Sequence, residues 1–196
     1  MKLPSKDLLL RELAPHRTKW SQTAKPQPEP ATLGEESVWD YPRPPEIRPV
    51  DFGEGALPCR VEFAGQVIAQ SRRVLRVCET AGAPVYYFPP EDIVEQVLQE
   101  TEDLSYCEWK GAAVYYDLEL NGKRAAHAAF AYPDPLDDLG VGFERIAGWV
   151  GFYCALTDGC YVGEERVVPQ PGNVYAGWVT HHIKGPIKGG HGTGHW

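Results

Sequence analysis

Apolar and polar residues alternate most regularly in the segment AVYYDLELNGKRAAHAAFAY, residues 113–132. Strict alternation is typical of strands that turn one face to a core and the other to solvent. Asn121-Gly122 in its centre is the preferred pair for a two-residue type I′ turn, so the segment predicts a β-hairpin. That turn sets the register, and the opposed residues are Leu120 and Lys123, Glu119 and Arg124, Leu118 and Ala125, Tyr116 and His127, and Val114 and Ala129.

This register gives the hairpin one apolar face, which carries Val114, Tyr116, Leu118 and Leu120. The same register places His127 on that face, beside Tyr116. Tyr115, Asp117 and Glu119 lie on the outer face, where Glu119 and Arg124 form a favourable cross-strand pair.

Short apolar runs bounded by turn residues predict further strands near residues 60–64, 66–69, 74–78, 85–88, 149–155, 160–162, 166–168 and 174–180. Pro89-Pro90, followed by two acids, predicts the start of a helix, because proline and acidic residues both favour the first turn. The apolar face of that helix consists of Ile93, Val94, Val97 and Leu98. Two more short helices are expected, at residues 5–13 with Ser5 as the cap and near residues 143–147.

The first 35 residues differ from the rest of the chain. After the short helix they are polar and rich in proline, a composition that buries too little apolar surface to order a chain. We therefore predict a flexible or draped N-terminal arm at residues 1–35. Residues 36–196 then form a single domain, which we expect to be mainly β, compact and antiparallel, with two sheets or a small barrel and one or two short helices.

Charge and cysteine content narrow the classes of partner and compartment. The net charge of −8 argues against a nucleic-acid partner, because neutralising phosphates requires clustered Lys and Arg. The N-terminus has only a three-leucine run, so we expect neither a signal peptide nor a membrane partner. Five cysteines are an odd number in apolar contexts, which indicates free thiols and a cytoplasmic location.

Several ordered segments together resemble one family, the domain of unknown function numbered 427, which also carries a nucleotidyltransferase label. They are WDYPRPP (39–45), SRR (71–73), VYYFPPED (85–92), CEWKG (107–111), YP (132–133), PQPG (169–172), YAGW (175–178) and GPIKG (185–189). The resemblance covers about residues 36–190. It implies a compact, mostly β domain similar to the tent-like β fold of the cereblon ligand-binding domain and methionine sulfoxide reductase B. Those relatives hold zinc with paired CxxC motifs, which this chain lacks.

The sequence predicts no metal site and no cofactor. Cys154 and Cys160 are not spaced as a zinc motif, and His191 and His195 lie in a glycine-rich tail. The same tail has no GxxxxGK[ST] order for a phosphate loop. Asp137-Asp138 has no partner motif of the kind that nucleotidyl transfer with Mg²⁺ requires, so it is interpreted as a turn or a helix cap.

The segment SRRVLRVC, residues 71–78, places an arginine on a core-facing side whichever way its alternation runs. If Leu75 and Val77 face the core, Arg73 goes with them, and if Val74 and Cys78 do, Arg72 and Arg76 do. A buried guanidinium needs an acceptor. The two alternatives are a glutamate or carbonyl of the chain itself, and an anionic ligand.

Aromatic residues near turns, with basic neighbours, favour a pocket for a small molecule that is planar or anionic. We predict that Trp109, Lys110, Tyr132 and one of Arg72 and Arg73 converge on one concave surface. The whole predicted ligand-binding set is Arg72, Arg73, Trp109, Lys110, Tyr132, His127, Tyr41 and Trp178.

Two alternatives to simple ligand binding remain open. One is a small enzyme that uses Lys110, Glu108 or His127 as acid or base, acting on a nucleotide or a carbonyl compound. The other is an interaction protein that uses the N-terminal arm. The sequence also leaves a homodimer open.

Overall fold

A computed structural model describes residues 2–17, 28–53, 55–172 and 174–193. One α-helix, α1, spans Lys6–Arg17 within these ranges. The strands are β1 (Glu36–Ser37), β2 (Glu46–Pro49), β3 (Cys59–Phe63), β4 (Gln66–Ser71), β5 (Leu75–Cys78), β6 (Val85–Phe88), β7 (Leu98–Cys107), β8 (Gly111–Leu120), β9 (Lys123–Ala131), β10 (Val150–Phe152), β11 (Gly159–Val162), β12 (Glu165–Arg166), β13 (Val168–Pro169), β14 (Trp178–Val179) and β15 (Ile183–Lys184).

Two antiparallel sheets form the body of the protein. The large sheet has seven strands in the order β2-β5-β6-β10-β9-β8-β7, and the small sheet has four in the order β12-β11-β3-β4. Two short pairs are added, β1 with β15 in parallel and β13 with β14 antiparallel. The prediction of a compact, mainly β, two-sheet domain is confirmed, and neither sheet closes into a barrel within the described ranges.

The principal core lies between the two sheets. Val61, Phe63 and Ile68 from the small sheet pack with Tyr86 and Phe88 from the large sheet, all fully buried. Strand alternation then turns the next residues of the large sheet to its other face. A second apolar cluster forms there under the loops that follow β9 and β13, and it contains Val77, Tyr87, Ala113, Phe130, Tyr132, Phe143, Ile146, Ala176 and Trp109.

The helix expected near the N-terminus is present and runs four residues beyond the predicted end. Leu8 N–H lies 3.4 Å from Ser5 Oγ, in the position of the predicted cap. Leu9 is buried against Ala112 and Leu136, so the helix lies over the end of β8. Residues 18–27 of the predicted arm lie outside the described residues.

The prediction of a helix after Pro89-Pro90 is wrong. The chain forms two 3₁₀ turns, Pro90–Asp92 and Glu95–Val97, and Ile93 between them bridges to Ala69 of β4. The apolar run was too short to favour a longer helix over this pairing. From Leu98 the chain continues as the ten-residue strand β7, which the sequence patterns did not predict. It is the edge of the large sheet, and its exposed acids are typical of an edge strand that resists pairing with another chain.

The hairpin β8–β9 has the predicted turn and the predicted register at its tip. Leu120 pairs with Lys123, Glu119 with Arg124 and Leu118 with Ala125, and Asn121 and Gly122 both have positive φ. Beyond that point the predicted register is wrong, because Tyr116 pairs with Ala129 and Val114 with Ala131. Three residues of β9, 126–128, lie opposite Asp117 alone, and such a bulge cannot be read from alternation.

The bulge moves His127 off the apolar face, which corrects its predicted position. Its φ is +50°, and its N–H donates to Asp117 Oδ1 at 2.8 Å. The imidazole is half exposed on the outer face, with Nε2 2.9 Å from Asp103 Oδ2. His127 therefore takes part in a surface contact between β9 and β7, and it does not lie beside Tyr116 as predicted.

Candidate functional site: an aromatic cavity on the large sheet

A cavity of about 390 Å³ opens on the outer face of the large sheet, the face that turns away from the small sheet. Its floor comes from β5, β6, β8 and β9, one wall from the β7–β8 turn, and the opposite wall from the chain after β13. The floor residues are Val77, Val85, Tyr87, Ala113, Tyr115, Phe130 and Tyr132. The wall at the β7–β8 turn consists of Ser105, Tyr106, Cys107, Glu108 and Lys110, and the wall after β13 consists of Gln170, Val174, Tyr175, Ala176 and Lys188. Glu79, Gly82, Ala83 and Tyr153 complete the lining.

The floor is aromatic because alternation on neighbouring strands sends rings to the same face. The Phe130 ring meets Tyr87 and Tyr132 edge-on, with centroids 5.9 and 6.1 Å away, and Tyr153 at a tilt, with its centroid 5.4 Å away. Phe130 also covers Gly151 of β10, where an added Cβ would lie 2.7 Å from the ring. Glycine at position 151 thus allows the rings to pack as a nearly continuous surface.

Lys110 is placed by the three-residue turn between β7 and β8. Cys107 pairs with Gly111 across that turn, and Gly111 has φ +87°, a conformation that favours glycine. An added Cβ at Gly111 would lie 3.1 Å from the Leu136 side chain, so a leucine fills the space beside this glycine. The turn directs Lys110 inward, and only 6% of it is exposed.

The Lys110 ammonium lies beside two aromatic rings. It is 5.2 Å from the centroid of the Tyr132 ring and 5.8 Å from that of Phe143. Burial alone lowers its pKa, but the fields of Cys107, Tyr87 and Glu79 and a hydrogen bond with Cys107 outweigh burial and raise the pKa above its usual value. Lys110 is therefore a buried cation, and among the described residues it forms no ion pair with a carboxylate.

Three tyrosine hydroxyls of the cavity are neutral at physiological pH. Burial raises the pKa of Tyr87, Tyr132 and Tyr153 above its usual value. Tyr115 donates its hydroxyl to Ser105 Oγ at 2.8 Å, which fixes the ring at the floor. These groups offer hydrogen bonds to a ligand, but they do not supply the negative charge that Lys110 would favour.

The wall opposite Lys110 is held by Gln170 and Lys188. Gln170 is buried, accepts from Ala83 N–H at 3.0 Å and donates to the Lys188 carbonyl at 3.0 Å, so it ties two loops together. Lys188 Nζ lies 3.6 Å from Glu79 Oε1 and 5.1 Å from the centroid of the Tyr175 ring. The second cation of the cavity thus has a carboxylate partner, unlike Lys110.

The structure brings together part of the predicted site. Lys110 and Tyr132 both line the cavity, and Glu108 lies at its edge. Trp109 is in the adjacent apolar cluster and is 5% exposed, with the Arg17 guanidinium 5.5 Å from its ring centroid. It therefore supports the turn from behind and does not present a face to the cavity.

The predicted convergence of Arg72 or Arg73 with Lys110 is wrong. Both arginines follow the end of β4 and are exposed. Arg72 donates to the Ala56 carbonyl at 2.9 Å, and Arg73 pairs with Glu91 and Asp92 at 2.8 Å each. Alternation on the next strand is consistent with the second alternative, in which Arg76 points inward with Val74 and Cys78.

Arg76 finds its acceptor within the chain. Its guanidinium, 1% exposed, donates to both carboxylate oxygens of Glu36 at 2.6 and 2.9 Å and to the Pro49 carbonyl at 2.9 Å. The sequence left two kinds of acceptor open, a group of the chain itself or an anionic ligand. The Arg76 guanidinium uses the first kind, a glutamate and a backbone carbonyl. None of the three arginines of this segment lines the cavity.

Tyr41 and Trp178 are also outside the cavity. Tyr41 is buried and donates its hydroxyl to Glu36 Oε2 at 2.6 Å. Trp178 is fully buried, stacks on Tyr86 at 4.8 Å and donates to the Phe152 carbonyl at 3.0 Å. The geometry gives both residues a packing role between the sheets.

Most of the aromatic floor was missed because a hydrophobic pattern does not say which face of a sheet stays open. Tyr87, Phe130 and Tyr153 follow the same alternation as core residues. The available signal was that β6 has large rings at three successive positions, in VYYF, so both of its faces carry aromatics. Lys188, 78 residues after Lys110 in the chain, gave no such signal.

A protein-family model described as a domain of unknown function (DUF427), labelled NTP_transf_9, matches residues 55–163. The match covers more than half of the chain, and the chain belongs to this family. It includes the floor of the cavity and Lys110 but ends before the wall that contains Lys188. No curated protein sequence matches the chain. Within the described ranges, no helix has the length and hydropathy needed to cross a bilayer.

Proposed function

We propose that the cavity binds a small planar organic anion. The observation that carries this proposal is Lys110, a buried ammonium without a carboxylate partner among the described residues. Burying an unpaired charge is costly, so a protein retains one where a ligand of opposite charge completes it. The ligand class is that of aromatic carboxylates and similar anions.

The rest of the cavity supports a flat ligand of modest size. Its volume of about 390 Å³ is that of a site for a small molecule. Tyr87, Phe130 and Tyr132 offer apolar ring surface beside Lys110, and neutral tyrosine hydroxyls offer hydrogen bonds. Lys188 adds a second cation whose charge is partly balanced by Glu79.

The test compares matched pairs of probes that differ only in charge: benzoate with benzamide, nicotinate with nicotinamide, and 2-naphthoate with 2-naphthamide. Saturation-transfer NMR and calorimetry on the full chain should show tighter binding of each carboxylate, by roughly tenfold, the effect of about 1.4 kcal/mol. Lys110→Met should remove the preference for the carboxylate.

The matched control is Lys123→Met, an exposed lysine that pairs with Asp158 on the surface. It should keep the preference for carboxylates. Lys110→Met should leave the melting temperature unchanged or raise it, since it removes a buried charge. Equal binding of carboxylates and amides, or a loss of stability in Lys110→Met, would indicate a structural lysine and contradict the proposal.

A second candidate function is catalysis at the same cavity. The observation that favours it is the hydrogen bond of Lys110 with Cys107, next to Glu108, which groups an amine, a thiol and a carboxyl at one mouth. His127, which the sequence suggested as an acid or base, contacts Asp103 and the Tyr115 ring and is not among the residues that line the cavity. Turnover of nucleotides or carbonyl compounds that Lys110→Met abolishes would establish catalysis.

We also propose a cytoplasmic location. All five cysteines are free, and Cys59, Cys78 and Cys160 are buried. Burial raises the pKa of the Cys59 and Cys78 thiols to about 12, which keeps them protonated and unreactive. An odd number of unpaired thiols suits a reducing compartment. Thiol trapping in intact cells should therefore recover all five in the reduced form.

A further inference from the structure

A second group of ligating side chains consists of Glu165, His181 and His182. It lies where strand β12 meets the turn that follows β14. Strands β13 and β14 are antiparallel, with Val168 opposite Val179 and Pro169 opposite Trp178. Continued toward the start of β13, this register sets Glu165 opposite His182. The pairing thus brings a carboxylate from β12 to the turn that holds His181 and His182.

Glu165 is held against the first histidine by two contacts. Its Oε1 accepts the His181 backbone N–H at 2.7 Å, and its Oε2 lies 2.6 Å from His181 Nδ1. A carboxylate oxygen of Glu165, a ring nitrogen of His181 and a ring nitrogen of His182 all lie within 4.8 Å of one another. Three ligating groups from two segments of chain therefore meet at one point.

The second histidine is oriented by stacking. The His182 ring lies 4.0 Å from the Phe52 ring with an interplanar angle of 5°, and the His181 ring lies 3.7 Å from the His182 ring. The Phe52 ring is in turn covered by Arg76, whose guanidinium is 4.2 Å from the centroid. Packing thus fixes the buried His182, whereas His181 is exposed and able to adjust.

We propose that Glu165, His181 and His182 bind a divalent transition-metal cation, with Zn²⁺ as the best match. Two imidazoles and one carboxylate are ligands that zinc prefers, and three protein ligands leave a fourth position for water. Ligands around one zinc ion lie roughly 3.4 Å apart, given Zn–N and Zn–O bonds of about 2.1 Å. A small rotation of the exposed His181 closes the present spacing, and the cation takes the place of the proton that joins Glu165 and His181.

The spacing of these residues hid the site from sequence motifs. His181 and His182 are adjacent, and Glu165 precedes His181 by 16 positions, which matches no zinc signature. Two neighbouring residues on a strand point to opposite faces, but His181 and His182 lie in a turn, where both rings reach the same side. The sequence prediction of no metal site considered other cysteines and histidines.

The experiment measures zinc binding to the full, untagged chain by calorimetry with ZnCl₂, and the visible spectrum of the Co²⁺ form. The proposal predicts one Zn²⁺ per chain at this site and a Co²⁺ spectrum with nitrogen and oxygen ligands. His181→Ala and Glu165→Gln should each weaken binding by about tenfold or more. Both positions are at the surface, so circular dichroism should show an unchanged fold.

Two matched controls separate this site from other histidines. His127→Ala removes a histidine that also contacts a carboxylate, Asp103, but that belongs to no group of three ligating side chains within the described ranges. A double variant, His191→Ala with His195→Ala, removes the histidines of the C-terminal tail. Both should keep the affinity of the unaltered chain.

The proposal is overturned by any of three results. They are no zinc binding by the unaltered chain, unchanged binding in both His181→Ala and Glu165→Gln, and loss of the same binding in the tail variant or in His127→Ala.

Discussion

At the scale of single residues, the clearest buried charge pair is that of Arg76, a residue outside the predicted ligand-binding set. Arg76 is 1% exposed and forms a two-point contact with Glu36, a residue that precedes it by 40 positions. Burial alone raises the pKa of Glu36, but hydrogen bonds from Arg76 and Tyr41 outweigh it and hold the pKa below its usual 4.5. The ionised carboxylate is thus favoured by the folded state.

Glu36→Gln should lower the free energy of unfolding by about 3 kcal/mol at pH 7, because it leaves a buried guanidinium without its counter-ion. Urea denaturation monitored by tryptophan fluorescence measures the change. The double variant Glu36→Gln with Arg76→Met should recover part of the loss, since it removes both charges. An unchanged stability of the single variant would mean that solvent reaches Arg76.

The pH dependence of the same pair has a defined sign. The pKa of Glu36 is lower in the folded chain, so its contribution is complete above about pH 4.5 and is lost as the pH falls through the folded value. Between pH 7 and pH 3, the stability of the unaltered chain should therefore fall more steeply than that of Glu36→Gln. Parallel curves would contradict the assignment.

At the scale of elements, the sequence predicted the structure wherever local rules decide it. Asn121-Gly122 specified its turn, and the strands near residues 60–78 and 85–88 formed close to their predicted bounds. The predicted register failed after three pairs, because the Asp117 side chain holds three residues of β9 opposite one of β8. That choice depends on a contact between side chain and backbone, which no alternation pattern records.

The candidate site was predictable to the same extent. Lys110 and Tyr132 were found because both follow from the hairpin, one at each side of its open end. The arginines were misplaced because alternation gives the face of a strand but not what covers that face. The walls near Gln170 and Lys188 depend on long-range packing of the C-terminal loops, which lies beyond local sequence rules.

Helix α1 provides a prediction at this scale. Leu9 is 5% exposed and packs on Ala112 and Leu136, so Leu9→Ala should lower the free energy of unfolding by about 2 kcal/mol through lost burial and a cavity. Hydrogen exchange should show faster exchange in residues 6–17. Leu8→Ala is the matched control, since Leu8 is 47% exposed, and its change should stay within about 0.5 kcal/mol.

At the scale of the whole molecule, the family match and the folded unit have different limits. The family model ends at residue 163, whereas the core between the sheets continues into later residues. Trp178 is fully buried in that core and stacks on Tyr86, and β2 and Glu36 lie before the match begins. The segment that defines the family therefore lacks partners that its own buried residues need.

We therefore expect a fragment of residues 55–163 not to reach a native packed state. It would expose Tyr86 where Trp178 packs, leave Arg76 without Glu36, and remove β2 from the edge of the large sheet. An unpaired buried charge and an open core face each cost several kcal/mol, which is a large part of the stability of a domain. Residues 28–193, which keep these partners and lack α1, the rest of the chain up to residue 27 and the last three residues, should fold. Near-ultraviolet circular dichroism and the melting transition compare the two. A cooperative transition in the shorter fragment would show that the family segment folds independently and that the later strands only decorate it.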